Sequence, residues 1–102
     1  VYRASDRVRN ERWLAALGRA ADDLDMGSDA RSTAEDLFLS TAPDAERSKP
    51  AAIAASLYAG GLIAGDRRSQ GAVAEAVGVT RLTVQKRWKP LLETAGLEPP
   101  TW

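Results

Sequence analysis

Between Thr80 and Lys89 the chain sets out Arg81, Leu82, Thr83, Gln85, Lys86 and Lys89. At about 100° per residue, a helix turns Leu82, Gln85, Lys86 and Lys89 to one side. Val84, Trp88, Leu91, Leu92 and Ala95 then fall on the other side. The first side has the chemistry to read a nucleic acid. A glutamine amide bonds adenine in a bidentate way, and a leucine touches a thymine methyl. Lys86 and Lys89 suit phosphates, which add affinity with little sequence information. Arg81 and Thr83 stand at the start of the helix, where base contact is commonest. Thr80 and the first helical amides can meet a phosphate through the helix dipole. Ser69, which holds the matching place before the preceding segment, completes the candidate DNA-binding set.

Other chemistry finds little support. The chain has no histidine and no cysteine, so the commonest zinc ligands and the usual base of nucleophilic triads are missing. Asp22, Asp23 and Asp25 form an acidic cluster, but no second oxygen-rich loop accompanies it at metal-binding spacing. A carboxylate-only site stays open in principle, yet no convergent set stands out. The reading is therefore no enzyme, no cofactor, no metal and no small-molecule substrate. Net charge is zero, but it is unevenly spread. Residues 1–46 hold six Lys/Arg against ten Asp/Glu, and residues 47–102 hold eight against four. The basic half is the one that carries the candidate face, as an anionic partner requires.

The elements that position these residues follow from length and punctuation. A chain of 102 residues suits one domain. Abundant alanine and few aromatics favour helix. No apolar run reaches the roughly 18–20 residues of a membrane span, and the charged start at Val1–Asn10 does not read as a secretory signal. A cytoplasmic, membrane-free protein is expected. Five helical segments emerge, preceded by a lead-in at residues 1–5 and followed by a tail at 98–102. The first runs from Asp6 to Asp25, with a stripe of Trp13, Leu17, Ala20, Ala21 and Leu24, and ends at Gly27. Ser28 caps a second, Asp29–Ala42, with Ala30, Thr33, Ala34, Leu37, Phe38 and Thr41 on one face. Pro43–Ser48 is a polar loop. Pro50 opens a third helix to Ala64, apolar on nearly every side and therefore central. Gly60 and Gly61 within it imply a close helix crossing. After Gly65 and Asp66-Arg67-Arg68, Ser69 caps a short helix over Gln70–Val77. Gly78 makes a tight turn, and Thr80 caps the fifth helix, Arg81–Ala95.

Ser69–Leu92 thus reads as helix, turn, helix. Val73, Val77, Val79, Val84 and Trp88 are apolar where the two helices cross, and Ala74 is small there. This is the pattern that places a second helix in the major groove. A plain helical hairpin with a solvated basic face fits the same spacing. Arg67 and Arg68 fit either a phosphate contact or a solvated loop.

Two stretches carry a resemblance. Arg47-Ser48-Lys49-Pro50 followed by Ala51-Ala52-Ile53-Ala54-Ala55-Ser56-Leu57-Tyr58 is one. The other is Ser69-Gln70, Val73-Ala74-Glu75, Gly78-Val79-Thr80, Thr83-Val84, Arg87-Trp88-Lys89 and Leu91-Leu92. In that order and spacing they resemble the archaeal transcription factor B and eukaryotic transcription factor IIB family. The likeness is good over residues 47–95, and over 8–46 it extends only to the helix pattern. It implies an all-α, five-helix cyclin-like repeat over residues 6–97, with the helix-turn-helix at 69–95 closest to the family's second repeat. It also implies a role in transcription initiation, with promoter DNA, TATA-binding protein and RNA polymerase as partners. The family's base-contacting places fall on Leu82 and Gln85. The chain departs from the pattern in four ways. Gln85 replaces a usual Arg, Arg81 a usual acid and Trp88 a usual Tyr, and Pro90 falls inside the fifth helix. The family's zinc ribbon and other repeat are missing, so a piece of a longer factor or a divergent single-repeat homologue is expected. The competing reading is a cyclin-fold module that binds other proteins without reading DNA, because fold does not fix function.

Overall fold

The computed structural model describes residues 8–97. Five helices have both ends among these residues: α1 (Glu11–Asp23), α2 (Ser28–Thr41), α3 (Lys49–Ala64), α4 (Gln70–Val77) and α5 (Arg81–Thr94). No strand occurs among the described residues. The all-α order is the one expected of a cyclin-like repeat. The expected lead-in, the helix start at Asp6, and the tail with Pro99, Pro100 and Trp102 lie outside the described residues.

α3 is the hub. It packs against α1, α2, α4 and α5, and Ala52–Gly61 is buried without interruption. A helix apolar all round has no other place to go. Gly60 makes its closest approach possible. A Cβ there would stand 2.9 Å from the Ala34 backbone nitrogen of α2. Gly61 faces the α3–α4 loop instead, where a Cβ would meet the Asp66 carbonyl oxygen at 2.8 Å. The expected close crossing therefore belongs to Gly60.

The apolar stripes pack largely as their periodicity demands. Leu17, Ala20 and Ala21 of α1 are buried, as are Ala30, Ala34, Leu37 and Phe38 of α2. Leu14 and Leu39 join them, although the stripes had omitted both. Trp13 and Leu24 are only half-buried at the edge of the core. The Arg12 guanidinium lies 4.8 Å from the centre of a Trp13 ring.

Several element ends differ from the sequence reading. α1 starts at Glu11 because the backbone at Asn10 leaves helical geometry, and the Asn10 side chain is spent on Lys49 rather than on a cap. α1 ends at Asp23, and the left-handed residue after it is Asp25 (φ 54°), not Gly27. Aspartate is among the few residues that tolerate this region. Ser28 does not cap α2. It is the first helical residue, and no side chain of the flanking residues bonds the helix start. The Asp66 carboxylate, 39 residues away, accepts the Gly27 N–H at 2.7 Å. The polar loop before α3 contains one 3-10 turn at Glu46–Ser48, so α3 begins at Lys49, ahead of Pro50.

Arg68 completes this long-range joint. Its Nε donates to the Leu24 carbonyl and its Nη2 to the Asp25 carbonyl, both at 2.8 Å. Its Nη1 meets Asp66 Oδ1 at 2.7 Å. A cation thus sits on the carbonyls at the end of α1, where the helix dipole favours it. The Gly27 N–H bond, and next the Arg68 bond, hold the Asp66 carboxyl below the usual carboxylate range, against an opposing effect of burial.

Candidate nucleic-acid interface

The unit that presents the candidate face is α4–turn–α5. Ser69 Oγ accepts the Ala72 N–H at 3.0 Å and starts α4. The Ala74 carbonyl then accepts from both Gly78 N–H (2.8 Å) and Val79 N–H (3.0 Å). That double bond needs a left-handed residue, and Gly78 supplies it at φ 91°. Thr80 Oγ1 accepts the Thr83 N–H at 3.2 Å and starts α5. Val73, Ala74 and Val84 fill the crossing of the two helices, while Val77 and Val79 lie at its half-buried edge. Trp88 fixes α5 to the hub: its ring meets Tyr58 edge-on, with centroids 5.3 Å apart.

With that side buried, the opposite side of α5 is free. Arg81, Leu82, Gln85, Lys86 and Lys89 are all exposed. Leu82 keeps 55% of its surface in solvent, whereas Val84, two residues on and across the helix, is fully buried. Six of the candidates lie on α5, Thr80 caps it and Ser69 caps α4. The hydroxyls of Ser69 and Thr80 are engaged in starting the two helices, and the Thr83 hydroxyl bonds that of Thr80 at 2.9 Å. Each hydroxyl has more than one bonding site, so an outside phosphate would be a second partner. Lys89 extends over the Trp88 ring, 5.4 Å from its centre.

Two cations stand differently from the sequence reading. Arg68 is drawn into the joint between the α1–α2 turn and the α3–α4 loop, where the Leu24 and Asp25 carbonyls and the Asp66 carboxylate engage its guanidinium. Arg67 beside it is exposed. Arg87, which the candidate set omitted, is also exposed on α5 and borders a cavity of about 160 Å³ next to Thr41, Pro90 and Leu91. With Arg81, Lys86 and Lys89 it gives α5 four cations against one acid, Glu93. Its charge is the signal the sequence offers, while its angular position falls between the two faces of α5. Pro90 is exposed, and α5 passes through it to Thr94.

These features define an all-helical domain with a helix-turn-helix whose second helix shows a basic, partly apolar face to solvent. No family model matches the chain. Sequence relatives do. The chain is 34% identical over 87 residues to a transcription initiation factor IIB of Archaeoglobus fulgidus, which covers 85% of this chain and 26% of that protein. It is 52% identical over 40 residues to transcription initiation factor IIB 1 of Thermoplasma volcanium (39% of this chain, 13% of that protein). It is 44% identical over 48 residues to the factor of Pyrococcus horikoshii (47% and 16%). The chain is thus a relative of the transcription initiation factor IIB family, as its motifs indicate, and spans about a quarter or less of the length of these proteins. Among the described residues, no helix is long and apolar enough to cross a membrane.

Proposed function

We propose that this chain is a transcription-initiation module that binds promoter DNA through α5, beside the TATA box and together with TATA-binding protein, and helps recruit RNA polymerase. One observation carries the reading. The helix whose sequence resembles the family's recognition helix has its core side locked by Val84, Trp88, Leu91 and Leu92, and its candidate side exposed. Leu82 and Gln85 are the base-reading pair. Arg81, Lys86 and Lys89 neutralise phosphates, with Ser69, Thr80 and Thr83 as hydroxyl contacts. The domain is residues 6–97, with the DNA-binding unit at 69–95. Binding by a single repeat of zero net charge is weak without a protein partner and falls with salt, because it depends on counterion release.

The test is a mobility shift on promoter DNA with and without TATA-binding protein, at two salt concentrations. Lys86→Ala is expected to weaken the complex on every sequence and to flatten the salt dependence by about one phosphate contact. Gln85→Ala is expected to relax preference at one base pair, a discrimination of about 1–3 kcal/mol. If neither substitution matters and no shift forms at low salt, α5 does not read DNA, and the fold serves protein contacts instead.

A further inference from the structure

A polar cavity of about 230 Å³ opens where the end of α2 meets the start of α3. Arg9, Asn10, Ser40, Asp44 and Lys49 line it, and no residue of α4 or α5 does. Lys49 is only 8% exposed and Asn10 5%. Lysine is seldom buried unless paired, since an ammonium removed from water needs an opposite charge. Here its partner is neutral: Lys49 Nζ donates to the Asn10 amide oxygen at 2.8 Å. No carboxylate among the described residues pairs with it. An ammonium has three donors, so two of them remain for a ligand. Lys49 is also the first residue of α3, a helix start with no side-chain cap and no acid in its first turn.

We propose that this cavity binds a small phosphate-type oxyanion, with Lys49 as its charge partner, Ser40 as a hydroxyl donor and Arg9 at its rim. Asp44 opposes the anion and holds its affinity down. The site is separate from the α5 face and independent of the function proposed for it.

Amide NMR spectra of the 102-residue chain, titrated with sodium phosphate against sodium chloride at equal ionic strength, test this. Phosphate is expected to move the amides of Asn10, Ser40, Asp44 and Lys49. Lys49→Gln should weaken binding about tenfold or more, the loss of one charge-assisted bond. Arg9→Gln, an exposed change at the rim, should weaken it less and is informative even if Lys49→Gln does not fold. Asp44→Asn should tighten it. A short DNA duplex forms the second arm. If it moves these same amides, the phosphate comes from a nucleic-acid backbone; if only inorganic phosphate does, the ligand is a free ion. If neither probe moves them at tens of millimolar phosphate, or the changes stay within residues 81–89, the site does not exist.

Discussion

Ser56 and Gly60 show how much rests on single atoms of the central helix. The Ser56 hydroxyl is fully buried and has no hydrogen-bond partner among the described residues. Burying such a group unbonded costs about 1–3 kcal/mol. Ser56→Ala is therefore expected to raise stability by about 1 kcal/mol, read as a higher urea midpoint at unchanged slope. Gly60→Ala should do the reverse. Alanine gains about 1 kcal/mol of helix propensity, but its methyl would press on the α2 backbone at Ala34, which cannot yield as a flexible side chain does. Overpacking of this kind costs about 1–3 kcal/mol. A net fall in urea midpoint is the expected result, and a rise would mean that α2 moves aside freely.

At the scale of the element, α5 carries the main internal conflict. Pro90 removes one backbone donor from a helix interior, and its ring crowds the Lys86 carbonyl, at a cost of about 3 kcal/mol in an ordinary helix. Trp88, Leu91 and Leu92 hold the helix against the core on both sides of it. Packing thus overrides local preference. Pro90→Ala is expected to stabilise the domain by about 1–3 kcal/mol, seen as a higher melting temperature. The candidate face at Leu82, Gln85 and Lys86 precedes Pro90, so its exposure should be unchanged.

Across the whole molecule, the Asp66–Arg68 joint ties the α1–α2 turn to the loop that launches the helix-turn-helix. Arg68→Ala leaves the Leu24 and Asp25 carbonyls without that partner and should cost about 1–3 kcal/mol in chemical denaturation. Asp66 adds a pH dependence. Its carboxyl is held below the usual range in the folded chain, so the unfolded chain binds the proton more tightly. The contribution is whole above the ordinary carboxylate pKa of about 4. It is lost as pH falls through the depressed folded value. Urea midpoints of wild type and Asp66→Asn should therefore converge as the solution is acidified from neutral pH, and parallel curves would remove Asp66 from the acid response.

Periodicity and punctuation determined much of this protein from the sequence alone. Alanine-rich stripes at helical spacing, with Gly65 and Gly78 between them, set five helices in order. The apolar excess of Ala52–Ala59 made α3 the centre. The two-sided pattern of residues 81–92 separated the buried from the exposed side of α5, because one helix fixes angles through local geometry alone. Only the tertiary structure decided what long-range partners do. Nothing near Gly27 announces that Asp66 bonds its amide, and nothing near Arg68 announces that it will cap α1 from 44 residues away. Lys49 reads as an ordinary charged residue until Asn10 encloses it. Hydrogen bonds and burial between distant segments depend on where the helices cross, and that is fixed by the packing of the whole core, not by the spacing within any one segment.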